Sequence, residues 1–121
     1  MIQLPMPPSN NRYYRHFRGR TVLAHEGKVF KDAVAWLCQA AGMRPLLGDV
    51  ELYVIMHPRL TTKGAASKIR LDLDGCLKAT CDALNGVLYA DDKQITRLIA
   101  EIGDPLKDGG LSVQVRSMQS E

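Results

Sequence analysis

The hydrophobic positions along the chain repeat with two different periods, and these periods divide it into predicted helices and strands. Between residues 25 and 42, apolar residues recur every three or four positions, which predicts an amphipathic helix ended by glycine. The same period returns over residues 74–84, and Asn-Gly follows directly as a stop signal. Trp36 lies at the border of the first apolar stripe, and we expect it to be buried.

Alternation of apolar and polar residues predicts the strands. Residues 49–57 and 111–115 alternate with a period of two, and residues 95–102 are rich in aliphatic side chains. Residues 2–6 form an apolar run interrupted by proline, which predicts a short strand at a sheet edge. We expect the last strand to run antiparallel to the one before it. The predicted order is β-α-β-α-β-β, an α/β (mixed α+β) fold with its helices packed on a mixed sheet.

Length and composition place the chain among ordinary globular proteins. Its 121 residues, 45% of them apolar, predict one domain over residues 1–121. An odd number of cysteines, three, without C-x-x-C spacing is typical of reduced core residues in an intracellular protein. We see no apolar run of about 18 residues and no secretory leader. The expectation is therefore a cytoplasmic protein without a membrane partner.

Charge is distributed in three blocks along the chain. Residues 1–20 contain four arginines and no acid, and residues 58–70 contain four basic residues and no acid. Residues 71–92 contain five aspartates and one lysine. Two basic segments that form positive patches beside an acidic site predict a polyanionic substrate drawn to a metal-loaded centre. Scattered surface charge is the alternative explanation of such counts.

The two basic segments supply the candidate DNA-binding residues. In the first, RYYRHFRGR (residues 12–20), arginines alternate with aromatic residues, which suits phosphate contacts and stacking on bases or sugars. The alternative is a basic loop whose aromatic rings pack on the core. The second segment is typical of a loop that orders on DNA, or of a plain solvated linker. The candidates are Arg12, Tyr14, Arg15, Arg18, Arg20, Lys63, Lys68 and Arg70.

The acidic segment predicts a metal site. Asp72 and Asp74 form an Asp-x-Asp pair whose side chains lie on the same side of an extended chain. Asp91 and Asp92 can return to this pair if the chain doubles back after the second helix. Hard cations such as Mg²⁺ prefer carboxylate oxygens, and one or two such ions would bind a scissile phosphate. Helix capping and solvated surface explain most Asp-x-Asp pairs equally well.

One lysine lies within the acidic segment. Lys78 follows Asp74 by four residues, so the two lie near one face of the predicted helix. There Lys78 would offset charge on the phosphate or orient the nucleophile. Its alternative role is a surface salt bridge to Asp74 or Asp82. We expect Asp82 itself to be structural.

Three motifs together resemble the RusA-type Holliday junction resolvases, also called crossover junction endodeoxyribonucleases. They are the run LPMPPSNNRYYRHFRGR (residues 4–20), the block D-L-D-x-x-x-K-x-x-x-D-A-L (residues 72–84) and A-D-D-x-Q-I (residues 90–95). The motifs are ordered and spaced as in that family and span nearly the whole chain. Gly75 stands where the family usually has asparagine.

The resemblance implies a homodimeric, Mg²⁺-dependent endonuclease that cuts two opposed strands of a four-way DNA junction symmetrically. Mn²⁺ would substitute for Mg²⁺, and no organic cofactor is implied. Members occur in bacteria and in phages, so the gene would be chromosomal or phage-borne. Carried over by motif, the catalytic residues would be Asp72, Asp74, Asp92 and Lys78. The metal ligands would be the same three aspartates with Asp91.

Two other functions remain open from the sequence. The first is a non-catalytic junction-binding or DNA-binding protein whose acidic residues only cap helices. The second is a metal-dependent nuclease for other branched or flap DNA. Metal-dependent cutting separates the first from a resolvase, and competition between DNA substrates separates the second.

Overall fold

The computed structural model describes residues 1–60 and 73–118, without the side chains of the two asparagines that begin the first helix. A 3₁₀ turn, Asp92–Gln94, comes directly before the fifth strand. The elements in chain order are β1 (Ile2–Leu4), α1 (Asn10–Tyr13), β2 (Tyr14–Phe17), β3 (Arg20–Leu23), α2 (His25–Ala40), β4 (Val50–His57), α3 (Leu73–Leu84), β5 (Ile95–Ile102) and β6 (Gly110–Ser117).

Four strands form a mixed sheet in the order β1-β6-β4-β5. β5 lies parallel to β4, because the chain between them crosses over through α3. β6 lies antiparallel to both β4 and β1. It therefore runs antiparallel to β5, as predicted, although it pairs with β4 and β1 instead. The predicted edge position of the first strand is confirmed, since β1 is the outermost strand beside β6.

Helices α2 and α3 share one core with a single face of the sheet. Alternate residues of β4 are buried, while the residues between them are half-buried. The buried residues of both helices recur at intervals of three or four, the period that keeps side chains on one helix face, and adjacent residues widen this stripe in α3. The main contributors are Val50, Leu52, Val54 and Met56 of β4, Phe30, Val34 and Cys38 of α2, and Ala79, Ala83 and Leu84 of α3.

Two sequence predictions are wrong. The chain inserts the short helix α1 and a hairpin, β2–β3, between β1 and α2, so the order β-α-β-α-β-β is incomplete. The turn of this hairpin is Arg18-Gly19, with φ of 50° and 75°. Both angles are positive, which suits a two-residue hairpin turn but is unusual for arginine. Trp36 is also 68% exposed rather than buried, because the buried residues of α2 form a stripe that excludes it.

A glycine of α2 fixes the hairpin to the helix. The carbonyl oxygen of Tyr13 accepts a hydrogen bond of 2.8 Å from the backbone N–H of Ala24. A Cβ atom added at Gly27 would clash with that same oxygen and would lie 2.9 Å from Cδ1 of Leu23. Glycine therefore lets the backbone of Tyr13 lie directly on the first turn of α2, and this sets the position of the hairpin.

Candidate active site

One face of α3, the acidic face, carries three of the charged residues named from the sequence. Asp74, Lys78 and Asp82 follow each other at intervals of four, so each lies about 6 Å above the last on nearly the same side of the helix. Asp74 stands in the first turn, where free backbone N–H groups favour a carboxylate. The side chains of Asp74 and Lys78 are exposed, and Asp82 is half-buried.

Asp82 is held by a buried tyrosine. The hydroxyl of Tyr13 donates a hydrogen bond of 2.6 Å to Oδ2 of Asp82, and the tyrosine side chain is fully buried. Burial raises the pKa of Tyr13, and the hydrogen bond and the charge of Asp82 raise it further. Tyr13 is therefore a neutral donor at physiological pH. This contact gives Asp82 the structural role that the sequence predicts.

Removing the Tyr13 hydroxyl is expected to destabilise the fold. In Tyr13→Phe, the Asp82 carboxylate keeps its place but loses its buried donor, so we expect a loss of about 1–3 kcal/mol in the free energy of unfolding. Urea unfolding followed by circular dichroism measures this loss. Tyr53→Phe is the matched control, because Tyr53 donates to Glu101 in an exposed pair. Equal losses in the two variants would contradict a special role for the Tyr13–Asp82 contact.

Lys78 contacts the aromatic ring of Tyr14. Its Nζ atom lies 5.1 Å from the ring centroid, within the range of a cation–π interaction. The ring of Tyr14 in turn lies 4.6 Å from that of Tyr13, edge to face. Among the described residues, Lys78 forms an ion pair with neither Asp74 nor Asp82, so the surface salt bridge is not found. The lysine is instead held against the basic hairpin.

Asp91 and Asp92 occupy different environments at the start of the 3₁₀ turn. Asp91 caps the turn, since its Oδ1 accepts a hydrogen bond of 2.9 Å from the N–H of Lys93. That hydrogen bond lowers the pKa of Asp91. The pKa of Asp92 is raised, first by desolvation and then by the neighbouring carboxylates of Asp91 and Asp82. Asp92 thus stands in negative surroundings, which a bound cation would relieve.

The carboxylate oxygens of Asp74, Asp91 and Asp92 are suitable ligands for a hard cation. Asp74 and Asp92 are exposed oxygen donors, which Mg²⁺ prefers, and Asp91 commits one oxygen to its cap. Within residues 1–60 and 73–118, no three acidic, histidine or cysteine residues converge as a complete metal site. Asp72, the predicted third ligand, lies outside the described residues. So do the DNA-binding candidates Lys63, Lys68 and Arg70.

The remaining DNA-binding candidates divide into exposed and packed residues. The four arginines are all exposed, on α1 and the hairpin, and they are Arg12, Arg15, Arg18 and Arg20. Tyr14 is half-buried and packs against Lys78 and Tyr13. No sequence signal pointed to the Tyr13–Asp82 contact, because 69 positions separate the two residues.

Comparisons with known proteins identify the family of this chain. Residues 5–116 match the family model described as endodeoxyribonuclease RusA. The crossover junction endodeoxyribonuclease of Enterobacteria phage 82 is 35% identical, over 99% of this chain and 96% of its own length. The protein of that name from Escherichia coli K12 is 36% identical over the same shares. The chain therefore belongs to the RusA family of endodeoxyribonucleases.

Proposed function

We propose that this protein is a Mg²⁺-dependent endonuclease that resolves four-way DNA junctions by paired, symmetric nicks. Membership of the family makes it a nuclease acting on phosphodiester bonds. The contact between Lys78 and Tyr14 carries the proposal, because it joins the basic hairpin to the acidic face of α3. A strand whose phosphates bind the hairpin arginines would therefore lie close to α3 and Lys78.

The acidic residues would hold the metal and Lys78 would contact the substrate. Asp72, Asp74 and Asp92 are the proposed ligands of Mg²⁺ or Mn²⁺, with the second oxygen of Asp91 available to assist. A bound metal supplies an activated water and stabilisation of the leaving oxygen. The ammonium group of Lys78, exposed beside Asp74, would offset negative charge on the scissile phosphate.

The partners follow from the same proposal. Phosphate contacts would come from the exposed arginines of α1 and the hairpin, joined by the basic residues of the second segment. A homodimer would place two sites on a junction that is itself two-fold symmetric, which paired nicking requires. None of the helices within residues 1–60 and 73–118 has the length and hydrophobicity of a membrane-spanning segment. We place the activity in the cytoplasm of a bacterial cell, in DNA recombination and repair.

Cutting of a synthetic mobile four-way junction tests the proposed function. We expect paired nicks at symmetric positions with Mg²⁺ or Mn²⁺, none in EDTA, and little cutting of linear duplex of the same sequence. Binding without cutting in either metal would favour the non-catalytic DNA-binding protein. Equal cutting of flap or duplex DNA would identify a nuclease with a different substrate.

A further inference from the structure

We propose that Phe17 is a stacking surface for an unpaired base beside the branch point of the junction. The inference rests on the proposed function and deepens it, because it assigns a nucleobase as the ligand of one side chain. Phe17 ends β2 at the tip of the hairpin, on the same face as Arg15 and as Arg20, which is the cross-strand partner of Phe17.

The three aromatic residues of this segment have different exposures. Tyr13 is fully buried and Tyr14 is half-buried against Lys78, whereas the side chain of Phe17 is 47% exposed. The two tyrosines therefore serve the protein's own packing. About half of Phe17 remains in solvent, and an aromatic ring binds any base by stacking, whatever the sequence.

Two positive charges accompany the ring. The guanidinium carbons of Arg15 and Arg18 lie 5.6 Å and 5.3 Å from the centroid of Phe17. Guanidinium groups bind phosphates, so on a DNA strand these two groups would turn from the ring to the backbone and uncover the ring for a base. Trp36 is more exposed than Phe17, at 68%, but lies on α2, whose surface carries both acidic and basic residues. Charge complementarity to a polyanion therefore favours Phe17.

The hairpin turn places one of these charges at an energetic cost. Arg18 has φ of 50°, a left-handed conformation that asparagine or glycine adopts more readily in a two-residue turn. An asparagine here would make a more favourable turn but would remove the cation beside Phe17. Arg18 therefore keeps a strained backbone conformation that holds its guanidinium group next to the exposed ring, and such strain is common at binding sites.

The hairpin also sets the distance from the stacking surface to Lys78. Tyr14 and Phe17 are the first and last residues of β2, so they lie about 10 Å apart along the strand. Side chains alternate along a strand, so Tyr14 and Phe17 point to opposite faces of the hairpin, and a base on Phe17 would lie across the hairpin from Lys78.

At a branch point, little free energy is needed to unpair and unstack a base. In continuous duplex a base must be unpaired and unstacked before it can meet a protein ring. At a four-way junction pairing and stacking are already interrupted where the strands exchange. Stacking on Phe17 would therefore favour branched DNA over linear duplex without hydrogen bonds to base edges.

A thermodynamic cycle that changes Phe17 and the DNA base separately and together tests the proposed stacking. Dissociation constants are measured in EDTA, to prevent cutting, for wild type and Phe17→Leu. The substrates are an intact junction and a set of junctions with one abasic nucleotide at each central position in turn. We expect Phe17→Leu to bind the intact junction about tenfold more weakly, since stacking contributes about one factor of ten or more per base. At the contacted position, the abasic junction should remove this difference.

Two further variants separate stacking from general effects. Phe17→Tyr keeps an aromatic ring and should rescue the binding lost in Phe17→Leu. Trp36→Leu removes an exposed aromatic residue outside the hairpin and should bind the intact junction as wild type does. Thermal melting checks that Phe17→Leu remains folded, as expected for a side chain on the surface.

The outcomes distinguish this inference from the proposed function. If the wild type cuts junctions but Phe17→Leu loses equal affinity for every abasic junction, or loses none at all, the stacking role is overturned and the proposed function stands. If the wild type neither cuts junctions nor prefers them to duplex, both are overturned.

Discussion

Asp74→Asn is expected to lower the rate of junction cutting by on the order of a thousandfold while leaving junction binding intact. Asparagine keeps the shape of the side chain but removes the charge that would hold Mg²⁺. Asp74 is exposed in the first turn of α3 and outside the core, so the fold should tolerate the change. Removing a negative charge beside a phosphate should, if anything, strengthen binding.

Single-turnover cutting of a mobile junction in Mg²⁺ measures the rate, and a gel shift in EDTA measures binding. Asp32→Asn is the matched control, since Asp32 is an exposed aspartate on α2 rather than on the acidic face of α3. It should cut like the wild type. A wild-type rate for Asp74→Asn would show that this carboxylate only caps the helix, and the metal assignment would then be wrong.

Lys78→Met is expected to slow cutting by about a hundredfold, because the ammonium group would be missing where charge develops on the phosphate. Methionine keeps an unbranched stem and a high helix propensity, so α3 should be unaffected. The contact to the ring of Tyr14 holds Nζ beside the hairpin, and methionine would still pack there.

Rates at saturating enzyme separate this effect from affinity. Lys28→Met, an exposed lysine changed in the same way on α2, controls for the loss of one positive charge. If the cutting rate of Lys78→Met returns to the wild-type rate at saturating enzyme, Lys78 contributes only to DNA binding. Lys78 would then bind phosphate in the same way as the exposed arginines and would not take part in cleavage.

The sequence predicted that Asp74 and Lys78 lie near one face of α3, because residues four apart on a helix are neighbours. Asp74, Lys78 and Asp82 lie at intervals of four, and the apolar stripe on the other side of α3 confirms their orientation. Contacts between distant segments were not predictable in this way. Tyr13 and Tyr14 are adjacent, yet one ring is buried and donates to Asp82 while the other contacts Lys78.

The two errors about order and burial have a shared cause. Arg18-Gly19 is not a common hairpin turn, because arginine rarely adopts positive φ, so the segment resembled a loop. Trp36 is apolar enough to predict burial, but the sheet contacts only the stripe of α2 that contains Phe30, Val34 and Cys38. Residue propensities and hydrophobic periodicity describe each segment separately. Both errors concern the contacts between segments, which these two signals do not contain.

The order of strands in the sheet has a consequence for folding kinetics. β6 lies between β1 and β4, and Ile2 pairs with Val113, so the sheet joins segments far apart in the chain. Such pairing closes large loops and is slow compared with local helix formation. During synthesis, β1 and β4 must wait until residue 117 has been added before both can pair with β6. The face of the sheet that α2 and α3 cover therefore cannot be complete on the nascent chain before that point, and neither can a nuclease site that depends on it.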